Sequence, residues 1–239
     1  MTSDFVALGF DANDPLLLAH FWAEALQWTI HERADGAIDL VPTDATRFPM
    51  RFRPVAEKKT GKNRTHLDLT STSLEDQNDI VGRLVDLGAR HIDVGQGPED
   101  RHVVLADPEG NELCIIEPDN NFLSTCERLG AIVWDGSVAV GYFWRDVLGW
   151  PLVWDQDGET AIRAPEGDGP FVTWGPPVPL ASANNRFHLE IAPRDGDVQS
   201  EVDRLVALGA TRTDIARPGV AGVVLLDPDD NEFWVVALG

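Results

Sequence analysis

The segment Thr65-His66-Leu67-Asp68-Leu69 alternates polar and apolar residues. At a period of two, His66 and Asp68 share one face of a strand and Leu67 faces the other way. Phe187-His188-Leu189-Glu190-Ile191 repeats the arrangement, with His188 and Glu190 in the matching places. A helical pattern follows each strand, closing in Leu84-Val85-Asp86-Leu87-Gly88-Ala89 and in Leu205-Val206-Ala207-Leu208-Gly209-Ala210. The glycine after the last apolar-periodic residue is where a left-handed C-cap belongs. A strand, an Asp-Pro turn (Asp107-Pro108-Glu109-Gly110-Asn111 and Asp227-Pro228-Asp229-Asp230-Asn231) and a last strand complete each unit. The pattern therefore predicts a strand, a helix and three further strands, twice.

The residues ahead of each unit follow the same order with a different sequence. Residues 5 to 10 read as a strand, and Asp14-Pro15 supplies a helix N-cap and first helical position. The helix is expected to reach about Trp28, with Leu18, Phe21, Trp22, Ala25 and Leu26 on a core-facing stripe. Residues 37 to 54 give two strand-like segments, one of them Met50-Arg51-Phe52-Arg53. Phe21-Trp22 recurs as Phe143-Trp144, Leu26-Gln27-Trp28 as Leu148-Gly149-Trp150 and His66 as His188, all at one offset. Duplication of a whole domain accounts for this economically. The expected division is residues 1–118 and 130–239, joined by the aperiodic residues 119–129.

Composition narrows the partners. The chain has 239 residues, 43% of them hydrophobic, which suits two domains with real cores. A formal charge of −21 argues against nucleic acid and anionic membrane surfaces, which require a basic stripe. The apolar runs are short and no basic, apolar leader opens the chain, so a cytoplasmic protein is expected. Cys114 and Cys126 lack disulfide or zinc-type spacing and read as free thiols.

Together the Phe-Trp-x-x-x-Leu-x-Trp helix end, the His-Leu-Asp/Glu strand, the Leu-Gly-Ala helix end and the Asp-Pro-Glu-Gly-Asn-Glu-Leu-Cys turn resemble the vicinal oxygen chelate superfamily. That superfamily includes glyoxalase I, extradiol dioxygenases and bleomycin-resistance proteins. The resemblance implies an α+β fold of four βαβββ modules, paired into two glyoxalase-like domains whose cupped mixed sheets hold a small molecule or a metal. It also implies that one chain supplies internally the pairing that single-domain members obtain by dimerising. A monomer or a homodimer is expected.

In metal-dependent members the ligands are His, Gln or Glu on the first strand of each module and a Glu on the last. Carried over, those positions are His66, Cys114 and Ala7 or Gly9 in the first half, and His188, Trp234 and Leu129 or Ala131 in the second. One imidazole per half is too few for a catalytic metal, which usually takes three protein ligands. No metal is expected, with His66 and His188 the residues to test and a divalent ion the alternative. The His-x-Asp/Glu pairs either bond within the sheet, with Arg64 or Arg186 meeting the carboxylate, or line the cup around a ligand. Trp234 either fills its cup or offers a stacking surface. The cup-lining candidates are His66, Asp68, Cys114, Arg51 (with Arg53), His188, Glu190 and Trp234. The small Ala7, Gly9 and Cys114 predict the more open cavity in the first half. The expected function is binding of a small apolar or aromatic molecule without an obligate metal. A metal-dependent lyase, isomerase or extradiol-type dioxygenase using His66 or His188 is the alternative.

Overall fold

The first module runs β1 (Ser3–Ala12), α1 (Pro15–Leu26), β2 (Thr29–Glu32), β3 (Ile38–Val41) and β4 (Met50–Pro54). The second is β5 (Thr65–Leu69), α2 (Leu74–Asp86), β6 (Arg90–His91), β7 (Val103–Ala106) and β8 (Glu112–Ile115). The third is β9 (Leu129–Asp135), α3 (Val138–Leu148), β10 (Leu152–Gln156), β11 (Glu159–Ile162) and β12 (Phe171–Gly175). The fourth is β13 (Phe187–Pro193), α4 (Val198–Leu208), β14 (Thr211–Arg212), β15 (Gly222–Leu226) and β16 (Glu232–Val236). These elements come from a computed structural model that describes residues 2–97, 99–175, 185–195, 197–215 and 222–237.

The helix signals act as their chemistry requires. Asp14 accepts the N–H of Leu17 at 3.0 Å, and Pro15 opens α1. That helix stops before Trp28, because Gln27 turns left-handed at φ 61°. Gly88 and Gly209 follow α2 and α4 with φ of 102° and 120°, a region that favours glycine. The edge strand β2 lacks a sequence signal because only Ile30 of its four residues packs against the core, so no apolar alternation marks it.

Among the described residues the strands form two eight-stranded mixed sheets. Sheet one has the order β14-β15-β16-β13-β1-β4-β3-β2, and sheet two β10-β11-β12-β9-β5-β8-β7-β6. Each first strand lies parallel to the last strand of its own module and antiparallel to a first strand from the other half. Sheet one therefore joins the first and fourth modules, and sheet two the second and third. The expectation that one half assembles one cup is corrected: both cups are shared between halves. Packing gives the reason, since on the helix-facing side β1 and β13 bring Phe10 and Phe187 to 4.1 Å, where both are buried.

The halves are tied internally by a device that occurs twice. Trp22 of α1 donates its indole N–H to Asp107 at 3.3 Å, and Trp144 of α3 donates to Asp227 at 3.3 Å. Each Asp also accepts the side-chain amide of the Asn that ends its Asp-Pro turn. The next acidic residue of the turn reaches the start of the same helix. Glu109 accepts the N–H groups of Asn13 and Asp14 at 2.9 and 2.6 Å, and Asp229 accepts Ser137 N–H at 2.5 Å. Strand pairing thus joins the halves, while the turns join the modules within each half. No helix among the described residues is long and apolar enough to cross a membrane.

This connectivity predicts the behaviour of the separated halves. Residues 1–118 alone leave one edge of both β1 and β5 unpaired, and such edges self-associate. We expect that half to run as a dimer or larger species by light scattering. Co-expressed with residues 119–239 it should give a one-to-one complex.

Candidate functional site

Alternation along the strands sorts the side chains of both sheets. In sheet two, Leu67, Leu69, Leu113, Ile115, Ile132 and Trp134 face the helices. The cup face therefore carries His66 and Asp68 from β5, Cys114 from β8, Ala131 and Val133 from β9, and Ala161 and Phe171 from β11 and β12. Sheet one sorts the same way. Phe10, Phe52, Leu189 and Phe233 face the helices, leaving Gly9, Arg51, Arg53, His188, Glu190 and Trp234 on the cup face.

The cup of sheet one is filled by its own side chains. Arg51 donates to Asp39 at 2.7 and 2.9 Å and to Glu190 at 2.6 Å. Arg53 donates to Glu190 at 2.9 Å. His188 stacks on Trp234 with ring centres 3.7 Å apart, and the Arg53 guanidinium lies 5.2 Å from that indole. His188, Glu190 and Trp234 are all buried. Gly9 lies opposite His188, and a Cβ there would overlap the imidazole. Burial alone would raise Glu190, but the hydrogen bond and charge of His188 and the Arg53 guanidinium pull it down to about 2. Carboxylates and guanidiniums satisfy one another, so this face is a closed ionic core.

The cup of sheet two is open. A cavity of about 330 Å³ is bounded by Asp68, Phe122, Ala131, Val133, Trp154 and Ala161, among others. His66 Nε2 lies 3.4 Å from Asp68 Oδ1, and Asp68 stands directly opposite Cys114 in the β5–β8 register. The donor atoms of His66, Asp68 and Cys114 all lie within 4.8 Å of one another. Burial alone would lower His66, but the hydrogen bond and charge of Asp68, with Asp135 adding, hold it above its ordinary value. Burial, then the Asp68 charge and hydrogen bond, push the Cys114 thiol far up, so it is protonated and no nucleophile.

The candidates named from sequence separate into two groups. His66, Asp68 and Cys114 meet in sheet two, whereas Arg51, His188, Glu190 and Trp234 meet in sheet one. The expectation of the more open cavity in the first half is corrected: apart from Asp68 its walls come from residues 122–175, and Ala7 and Gly9 lie in sheet one because of the cross-half pairing. Two positions apart on one strand, His66 and Asp68 still converge, with His66 Nε2 3.4 Å from Asp68 Oδ1. Glu190 takes Arg51 and Arg53 rather than Arg186, whose guanidinium is spent on Asn13 and the Glu57 carbonyl. Arg64 likewise binds the Asp229 and Asp135 carbonyls. Ala131, one of the carried-over ligand positions, lines the cavity, while Val133, Thr173 and Phe122 carry no expectation from sequence. The alternation of β9 shows which of its residues share a face, but only the β5–β9 register brings them to His66. Phe122 lies in the aperiodic connection and carries no periodic signal.

Replacing Glu190 by Gln would leave Arg51 and Arg53 short of a buried counter-charge, at roughly 3–5 kcal/mol. The urea midpoint should fall accordingly. A carboxyl with a depressed folded pKa contributes stability above its unfolded value near 4.3 and loses it as the pH falls towards about 2. The variant's midpoint should therefore decline less steeply with acid over that window than the wild type's.

The profile of the glyoxalase-like domain matches residues 7–116 and again 131–236. No curated protein matches the chain significantly. Among solved structures, glyoxalase I from Zea mays superposes with a TM-score of 0.68 at 14% identity, covering 98% of this chain and 92% of that one. A putative dioxygenase from Bacillus subtilis subsp. subtilis str. 168 gives 0.59 at 13% identity, covering 100% and 86%. At these identities the likeness speaks for the fold.

Proposed function

The chain belongs to the glyoxalase-like domain family, and we propose that it uses the cup of sheet two to bind a small planar, apolar molecule without an obligate metal. One observation carries this reading: of two equivalent cups, one is filled by an ionic network and the other holds a cavity of ligand size with largely apolar walls. Phe122 and Trp154 stand edge to face at 5.7 Å and bound the cavity, which supports a flat guest. Asp68 and Glu159 are its acidic groups and suit a guest with a hydrogen-bond donor at the inner end. Both sheets are completed within one chain, which supports a monomer as the binding unit.

N-phenyl-1-naphthylamine, a neutral planar fluorophore, is a suitable probe. One molecule per chain should bind with a rise in emission. Ala131→Phe, which fills the cavity, should abolish binding, and Trp234→Phe in the closed cup should leave it intact. Equal loss in both variants would refute the assignment to sheet two.

The second reading, a metal-dependent lyase, isomerase or dioxygenase, is favoured by the three donors around Asp68. A nitrogen, a carboxylate and a sulfur fit a zinc-type ion once the thiol has lost its proton, and the opposite Ala131 and Val133 add no further ligand. Held by His66, Asp68 and Cys114, such an ion would supply Lewis acidity at the cup floor. This reading expects cobalt titration to produce a thiolate-to-metal charge-transfer band that Cys114→Ser removes. No band at a severalfold excess of cobalt would count against it.

A further inference from the structure

A groove beside the cup holds a buried cation that pairs with no carboxylate among the described residues. Arg163 follows β11 and is only 7% exposed. Its Nε donates to the Gly169 carbonyl at 3.0 Å, Nη1 to Thr125 Oγ1 at 2.8 Å and Nη2 to the Thr125 carbonyl at 3.0 Å. The guanidinium carbon lies 4.6 Å from the centre of the Phe171 ring. All these partners are neutral. A guanidinium has five N–H donors, so two remain after these three bonds. A charge taken out of water among neutral groups is costly and gains most from an opposite charge.

Arg163 also lines the groove, which measures about 600 Å³ and includes Asn121, Val153 and Pro165. Phe122 and Trp154 bound both the groove and the inner cavity. The two compartments have opposite polarity: Asp68 and Glu159 lie within, and Arg163 lies without. An anionic group is repelled by the inner carboxylates and attracted to the outer guanidinium. An apolar ring finds its surface at Phe122, which itself stacks on Phe171 at 4.4 Å.

We infer that the ligand is a planar apolar acid, with its body against Phe122 and Trp154 and its carboxylate or sulfonate on Arg163. This rests on the binding reading above and adds the ligand's charge and orientation. Two fluorophores of one skeleton separate the two claims. The neutral probe is N-phenyl-1-naphthylamine, and 8-anilinonaphthalene-1-sulfonate adds an anion.

Wild-type protein should bind the sulfonate about tenfold more tightly, as a charge-assisted hydrogen bond allows. Arg163→Met should bring the sulfonate to the affinity of the neutral probe and leave the latter unchanged. A role limited to holding Thr125 would lower the thermal midpoint without changing the ratio of affinities, and that result overturns the inference. Equal binding of both probes by the wild type overturns it too, without recourse to the variant, while leaving the cup reading in place. Failure of both probes to bind overturns the cup reading and this inference together.

Discussion

Antiparallel pairing of first strands from opposite halves is the interaction on which the rest of the structure depends. β1 meets β13 and β5 meets β9, and all four lie at the centres of their sheets. Without these contacts each module would keep an open edge and an apolar face with nothing beside it. The Asp-Pro turns supply the complementary bond, anchoring a helix of one module to a turn of the next through Trp22–Asp107 and Trp144–Asp227. One set of interactions closes the sheets, and the other fixes how the two sheets sit relative to one another.

The two cups show how few positions separate a core from a cavity. Both carry an imidazole and a carboxylate two residues apart on a first strand. In sheet one, Arg51, Arg53 and Trp234 converge on that pair, and Gly9 removes the side chain that would have kept His188 away. In sheet two the same places hold Ala131, Val133, Thr173 and Cys114, which are too short to cross the space. Volume and charge balance, rather than backbone, make one cup solid and leave the other open.

In the open cup Asp68 lines the cavity, and His66 and Cys114 place their donor atoms within 4.8 Å of its carboxylate. Asp68 holds the His66 imidazole above its ordinary value and, after burial, helps to push the Cys114 thiol up, while its own buried Oδ1 has no hydrogen-bond partner. An ion bound through Cys114 must displace the thiol proton, which couples metal affinity to pH. An apolar guest meets no such opposition.

The sequence by itself determined the modules, their order and the duplication. Each rests on local physics: the alternation through His66 and His188, the caps at Asp14 and Gly88, and the turn chemistry after Asp107 and Asp227. It also determined which residues share a strand face, His66 with Asp68 and His188 with Glu190, whereas Cys114 and Trp234 follow from the family resemblance. Which face each would meet was decided only by tertiary structure. Register between β1 and β13 and between β5 and β9 joins residues sixty or more positions apart, and no local period encodes it. That register carried Arg51 to Glu190 rather than to Asp68, and set Ala131 and Val133 beside His66. It also left Phe122, from a segment with no pattern at all, as a wall of the cavity.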